Sequence, residues 1–145
     1  MKVATYHARC KHCRKDFPYP WLGDFSYGSF LFAGEKGRVF GYGSALNHPV
    51  WDFLESVLVK HGSGKQADRD HAVRLQAAFA HFADWIRGQE LCLHDVCPEC
   101  RSSQVDLWPA EYIGTMDVDE VSYSDFLSLP ESVRRQKVLD FDKSE

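Results

Sequence analysis

Cys10-Lys11-His12-Cys13 and Cys97-Pro98-Glu99-Cys100 form the split motif on which the reading of this chain turns. Each half sets two thiols three residues apart, so one tight turn presents two sulfurs toward a common point. Two such turns supply the four corners of a tetrahedron. Pro98, inside the second pair, favours a tight knuckle. The chain has five cysteines, an odd number that fits a disulfide framework poorly. The amino terminus, MKVATYHARCKHC, has no apolar stretch of signal-peptide length, and no window approaches the roughly 18 apolar residues of a membrane helix. A cytoplasmic location is therefore expected, where thiols stay reduced and paired CxxC motifs hold metal. The expectation is one structural Zn2+ ion bound by Cys10, Cys13, Cys97 and Cys100.

Outward from the first knuckle, Ala4 to Arg9 reads as a short strand. Phe17-Pro18-Tyr19-Pro20-Trp21 follows the knuckle, and its prolines exclude a helix. Residues 26–42, SYGSFLFAGEKGRVFGY, read as a hairpin with Gly34-Glu35-Lys36-Gly37 as its turn. The apolar period then changes from two to about 3.6, which predicts two helices. The first starts at Asn47-His48-Pro49, lines one side with Val50, Phe53, Leu54, Val57 and Leu58, and stops before Gly62. The second is expected from an N-cap at Asp68 to Arg87, with Ala72, Leu75, Phe79, Phe82 and Ile86 facing the core and Trp85 buried beside them. Around the second knuckle, Ser103 to Trp108 alternates as a strand. The tail carries a capping-box-like start at Ser122-Tyr123-Ser124-Asp125 and a helix beginning at Pro130-Glu131-Ser132.

With a CxxC knuckle near the start and a CPxC knuckle later, each beside a short strand, residues 4–15 and 94–108 resemble the zinc-ribbon superfamily. The layout is also loosely similar to small bacterial zinc-ribbon proteins. The resemblance implies one zinc held between short strands. The chain departs from a compact ribbon in its spacing: 83 residues separate Cys13 from Cys97, where about 20 is usual. Closing so long a loop costs about 4 kcal/mol, against roughly 10–16 kcal/mol from structural zinc. The metal outweighs the loop. The fold class expected is thus α+β in a single domain, 1–145: split zinc-ribbon knuckles, a short hairpin sheet, a helical insertion at 44–91 and an acidic helical tail at 117–145.

A rival ligand set, Cys92, His94, Cys97 and Cys100, would leave the first pair without purpose, so Cys92 is expected to be a buried small residue. A redox role for either CxxC lacks the strand-to-helix setting of such motifs. Four thiolates leave zinc no open position for water or substrate, and the seven histidines form no HExxH arrangement. Asn47-His48 matches only a fragment of an HNH nuclease motif, and Gly41-Tyr42-Gly43 alone is no nucleotide-binding loop. The chain is read as a non-enzyme.

Charge separates the remaining function classes. The chain carries a net −4 with a pI near 5.9. Residues 1–20 hold five bases against Asp16, while residues 117–145 hold eight acids against four bases. A nucleic-acid binder of this size is normally basic overall, so a protein partner is favoured. One version is a bacterial immunity protein that masks a toxin with Asp117, Asp119, Glu120 and Asp125. A second version is an adaptor binding through the aromatic hairpin, Tyr27 to Tyr42. The alternative class is a nucleic-acid-binding ribbon in which Lys11, Arg14 and Lys15 meet phosphates beside Phe17, Tyr19 and Trp21. No membrane partner is expected.

Overall fold

The computed structural model describes residues 1–22, 28–35, 39–93, 96–106 and 111–144. Strand β1 (Lys2–Cys10) runs straight into the first knuckle and is the axis of one antiparallel sheet. On one side it pairs with β2 (Asp16–Pro20), Tyr6 opposite Tyr19 and Arg9 opposite Asp16. Pro18 and Pro20 fit there because β2 is an edge strand. The other side of β1 pairs first with β7 (Tyr112–Asp117), along Lys2 to Tyr6, and then with β6 (Val105–Asp106), beside the cysteines. Leu107 and Trp108, the end of the strand expected after the second knuckle, lie outside the described residues.

The second sheet has the order β5-β3-β4-β8, formed by β5 (Leu91–Leu93), β3 (Ser29–Gly34), β4 (Phe40–Ser44) and β8 (Asp119–Glu120). The expected hairpin is β3–β4, with Ala33 opposite Phe40 and the Gly34 N–H donating to Val39 O at 2.6 Å. Its turn residues Lys36 and Gly37, with Arg38 and Tyr27, lie outside the described residues. Alternation along β3 divides the interior. Leu31 and Ala33 pack with Val3, Phe40 and Val118 against the first sheet, whereas Phe32 faces the helices. The class is α+β, with eight strands in two sheets and four helices among the described residues.

Helix α1 (Pro49–Val57) begins as the sequence predicts. Pro49 occupies the first turn, and His48 Nδ1 accepts the Val50 N–H at 3.1 Å. Val50, Leu54, Val57 and Leu58 are buried. The His48 ring lies edge-on to Phe79 and Tyr123, and burial lowers its pKa, which suits a neutral ring acting as acceptor. It caps and packs. Gly41 and Gly43 on β4 also acquire a reason: a Cβ at Gly41 would meet Val121 at 2.8 Å, and one at Gly43 would meet Phe79 and Val121 at 3.0 Å. Their bare backbone lets the helical layer close onto the sheet.

Helix α2 spans Lys65–His81, not Asp68 to Arg87. The start shifts because Gly64, at φ 96°, makes the turn and its carbonyl already accepts the Asp68 N–H. The end shifts because Asp84 is drawn away to another helix and Ile86 pairs with Gln89 in an isolated bridge. Leu75 and Phe79 are buried as expected, but Ala72 is exposed and Trp85 is 62% exposed. Burial of Trp85 is therefore corrected: it lies beyond the helix, on a loop whose direction is set by Asp84.

The stretch from Tyr112 onward differs most from expectation. β7 was not anticipated, and the segment beyond it is no solvated appendage. Val118, Val121, Tyr123, Phe126 and Val138 are buried, β8 joins the second sheet in parallel with β4, and α3 (Ser124–Ser128) and α4 (Glu131–Ser144) close over α1 and α2. The capping-box reading at Ser122 is replaced by a cap supplied from a distance. Asp84 accepts the Ser124 and Asp125 N–H groups at 2.9 and 3.1 Å and the Ser122 hydroxyl at 2.6 Å.

Candidate metal centre

The end of β1 delivers Cys10 into the first knuckle, and β6 leaves the second knuckle to pair back onto β1, Val105 opposite Cys10. This pairing brings residues 84 to 90 positions apart into contact. Cys10 Sγ lies 3.5 Å from Cys100 Sγ and Cys13 Sγ lies 3.6 Å from Cys97 Sγ, and all four sulfurs fall within 4.8 Å of one another. A tetrahedral ion with Zn–S bonds near 2.3 Å needs sulfur–sulfur edges of about 3.8 Å. The donor set fits such an ion. The contacts are far longer than the ~2.05 Å of a disulfide, and all five cysteines are free thiols.

The two knuckles repeat one another bond for bond. In the first, Cys10 N–H donates to Lys15 O and Arg14 N–H to Cys10 O; in the second, Cys97 N–H donates to Ser102 O and Arg101 N–H to Cys97 O. All four bonds measure 2.9–3.0 Å. Lys11 N–H then donates to Gln104 O at 2.8 Å, tying the loops together. Cys10 and Cys97 are fully buried beside Ala8 and Phe17, Cys13 is half-buried and Cys100 is exposed.

Backbone dipoles prepare the Cys10 sulfur for a cation. The Cys13 N–H, aided by the His12 N–H and Cys100, outweighs burial and lowers the Cys10 thiol to about 6. Cys13 moves the other way, to about 12: the Lys15 N–H pulls it down, but burial and the sulfurs of Cys97, Cys10 and Cys100 dominate. Close thiols cannot all ionise without a metal. A soft or borderline divalent cation would offset half of the charge of the four thiolates and let all of them ionise together.

The rival set is not assembled. Cys92 Sγ donates to Ala33 O at 3.4 Å and accepts from Arg101 Nη1 at 3.2 Å, while His94 lies outside the described residues. Cys92 is half-buried at this separate position.

The other candidate residues are dispersed. Lys11, Arg14 and Lys15 are exposed on the first knuckle, with Lys15 Nζ 3.5 Å from Glu99 Oε2 of the second. Asp117 pairs with Lys2 at 3.3 Å and Asp119 with Arg87 at 3.6 Å, Glu120 lies on β8, and Asp125 opens α3. The acids thus occupy three elements, and two of them are ion-paired. The hairpin's aromatic residues lie largely in the interior: Phe32 and Phe40 are buried and Phe30 stacks on Trp51 at 5.4 Å. Phe17 is also core and Tyr19 packs half-buried beside it, so of the three aromatic residues expected at the first knuckle Trp21 is the one open to solvent.

Trp21 is 44% and Tyr112 59% exposed, and they flank Tyr6 with ring centroids 6.1 and 5.9 Å away. Tyr6 and Tyr112 were missed in the sequence because Tyr112 belongs to the unanticipated strand; the alternation Val3, Thr5 against Ala4, Tyr6 was the available signal. No described helix is long and apolar enough to cross a membrane. Compared with family models, curated proteins and solved structures, the chain gave no match.

Proposed function

We propose that the chain is a non-catalytic, zinc-stabilised interaction module that takes a protein partner in a groove between the end of α2 and helices α3 and α4. The exposed indole of Trp85 is the observation that carries this reading. It borders an open groove of about 760 Å³ whose walls also include Phe82, Phe126, Leu129 and Lys137. An indole left in water beside such a groove resembles the aromatic anchors that dominate protein interfaces.

Two carboxylates, Asp84 and Asp125, line the same groove. Asp84 is held ionised by the bonds it accepts, so an incoming segment that combines an apolar residue with Lys or Arg meets complementary chemistry. Toxin masking by an immunity protein is the finer version of this reading, and Asp125 is the predicted acid that best serves it. Asp117 and Asp119 serve it less well, because Lys2 and Arg87 offset their local charge.

Zinc is favoured for the four-thiolate set because a closed tetrahedral site suits an ion without redox chemistry and leaves no position for substrate. Its role is to pin both ends of the long insertion. The test is a tagged pull-down from native lysate, with Trp85→Ala and Asp125→Asn variants run beside the original chain. One stoichiometric protein captured by the original and lost from both variants supports the reading. Capture unchanged in both folded variants removes the groove, and no protein captured at all removes the interaction module.

A further inference from the structure

We infer that the face of the first sheet carrying Trp21, Tyr6 and Tyr112 is a second binding surface, one that takes single-stranded nucleic acid with its phosphates on Lys11 and Arg14. This surface is separate from the Trp85 groove and does not depend on it.

Geometry supplies the first argument. Trp21, just past the end of β2, and Tyr112, on β7, stand edge-on to the central Tyr6 ring of β1 at 66° and 68°, and both are open to solvent. Aromatic residues that only cover a core are buried. Tyr6, Trp21 and Tyr112 belong to neither core cluster beside β1, which Val3 and, farther along the strand, Ala8 and Cys10 already fill. Every base has a π-face, so solvent-facing rings on a sheet can stack bases without reading their identity.

Charge supplies the second. Tyr6 and Cys10 are four residues apart on β1, so the aromatic row and the first knuckle lie about 13 Å apart along the strand at 3.3 Å per residue, with Ala8 and Cys10 buried between the rings and the exposed bases. Segments 9–16 and 97–106, joined by the knuckles, carry five bases and three acids within a chain of net charge −4. Arg9 is held by Asp16, and Lys15 lies near Glu99. Lys11 and Arg14 have no ion-pair partner among the described residues and are exposed. They are free for phosphate, in a basic region of an acidic molecule.

The edge strands supply the third. Opposite β7, the β2 edge is blocked by Pro18 and Pro20, which cannot donate hydrogen bonds. The β7 edge holds Tyr112 and Ile113, 59% and 52% exposed, with Gly114 after them. Among the described residues, the β7 side is thus the exposed one of the two.

The test is fluorescence anisotropy of labelled oligothymidylate and oligouridylate, each about 12 nucleotides long to match one binding site, with the metal-loaded chain over roughly 50–200 mM salt. With two to three phosphates neutralised, affinity should fall roughly 7- to 18-fold across that range. Tyr112→Ala should weaken binding at least about fivefold. Lys11→Ala with Arg14→Ala should flatten the salt dependence. Trp85→Ala should change neither. Circular dichroism and metal content confirm that each variant is folded. No binding of either oligonucleotide at the lowest salt overturns the inference, as does undiminished binding by a folded Tyr112→Ala variant. A pull-down that still recovers a protein partner would leave the groove reading intact in either case.

Discussion

Arg14 and Arg101 adopt the same left-handed backbone, each at φ 63°, directly after the second cysteine of its knuckle. The coincidence is a consequence of the fold. Each arginine must turn its N–H back to the carbonyl of the first cysteine of its pair, and the chain then reverses toward the strand that follows. An L-residue with a side chain holds that conformation at a cost of roughly 1–2 kcal/mol, which each knuckle carries against the hydrogen bonds that close its turn.

Arg14→Gly should therefore raise stability by about 0.5–1 kcal/mol, the relief of strain being partly offset by the greater freedom of glycine when unfolded. Denaturant midpoints of the metal-loaded protein measure this. Arg101→Gly should gain less, since it also loses the contact of Arg101 Nη1 with Cys92 Sγ at 3.2 Å.

Tyr123 ties the carboxyl-terminal segment to α2. Its hydroxyl donates to Phe79 O at 2.5 Å, while the Ala83 N–H, which would fill that carbonyl in a longer helix, bonds to Ala80 O instead. Tyr123→Phe keeps the stack on Phe79 but leaves a buried carbonyl unsatisfied. A loss of about 1–3 kcal/mol is expected in equilibrium unfolding.

Asp84 supports α3 across 40 residues of sequence. Asp84→Ala should cost about 1 kcal/mol by removing the cap, and Asp84→Asn should recover part of it. The sign of the pH effect follows from the lowered pKa. Burial opposes ionisation, but the Ser122 hydroxyl and the N–H groups of Asp125 and Ser124 outweigh it. The contribution is thus fully present above the unfolded carboxylate value of about 3.9 and is lost as pH falls through the lower folded value. The stability difference between the original chain and the Asp84→Ala variant should shrink below about pH 4.

How much of this was legible in the sequence depends on how local each cause is. The CxxC spacings, Pro49 after His48, and the β3–β4 hairpin were readable because a few adjacent residues determine each of them. The far end of α2 was not, because Asp84 leaves the helical path to satisfy donors at Ser122, Ser124 and Asp125. Trp85 is exposed for the same reason. Val118 and Val121 flank a two-residue strand too short to show a period, so their place in the core depends on β4 and on the space left by Gly41 and Gly43. The acidic composition of residues 117–145 hid a segment that packs through its apolar minority.

The four-thiolate centre is tested most directly by metal analysis and circular dichroism of the purified chain beside a Cys10→Ser, Cys13→Ser variant. One zinc per chain in the original, with metal and folded structure lost together in the variant, is the predicted result, since structural zinc energy is folding energy. A variant that keeps a full, stable zinc complement would contradict the split site, and stoichiometric iron in the original would contradict zinc.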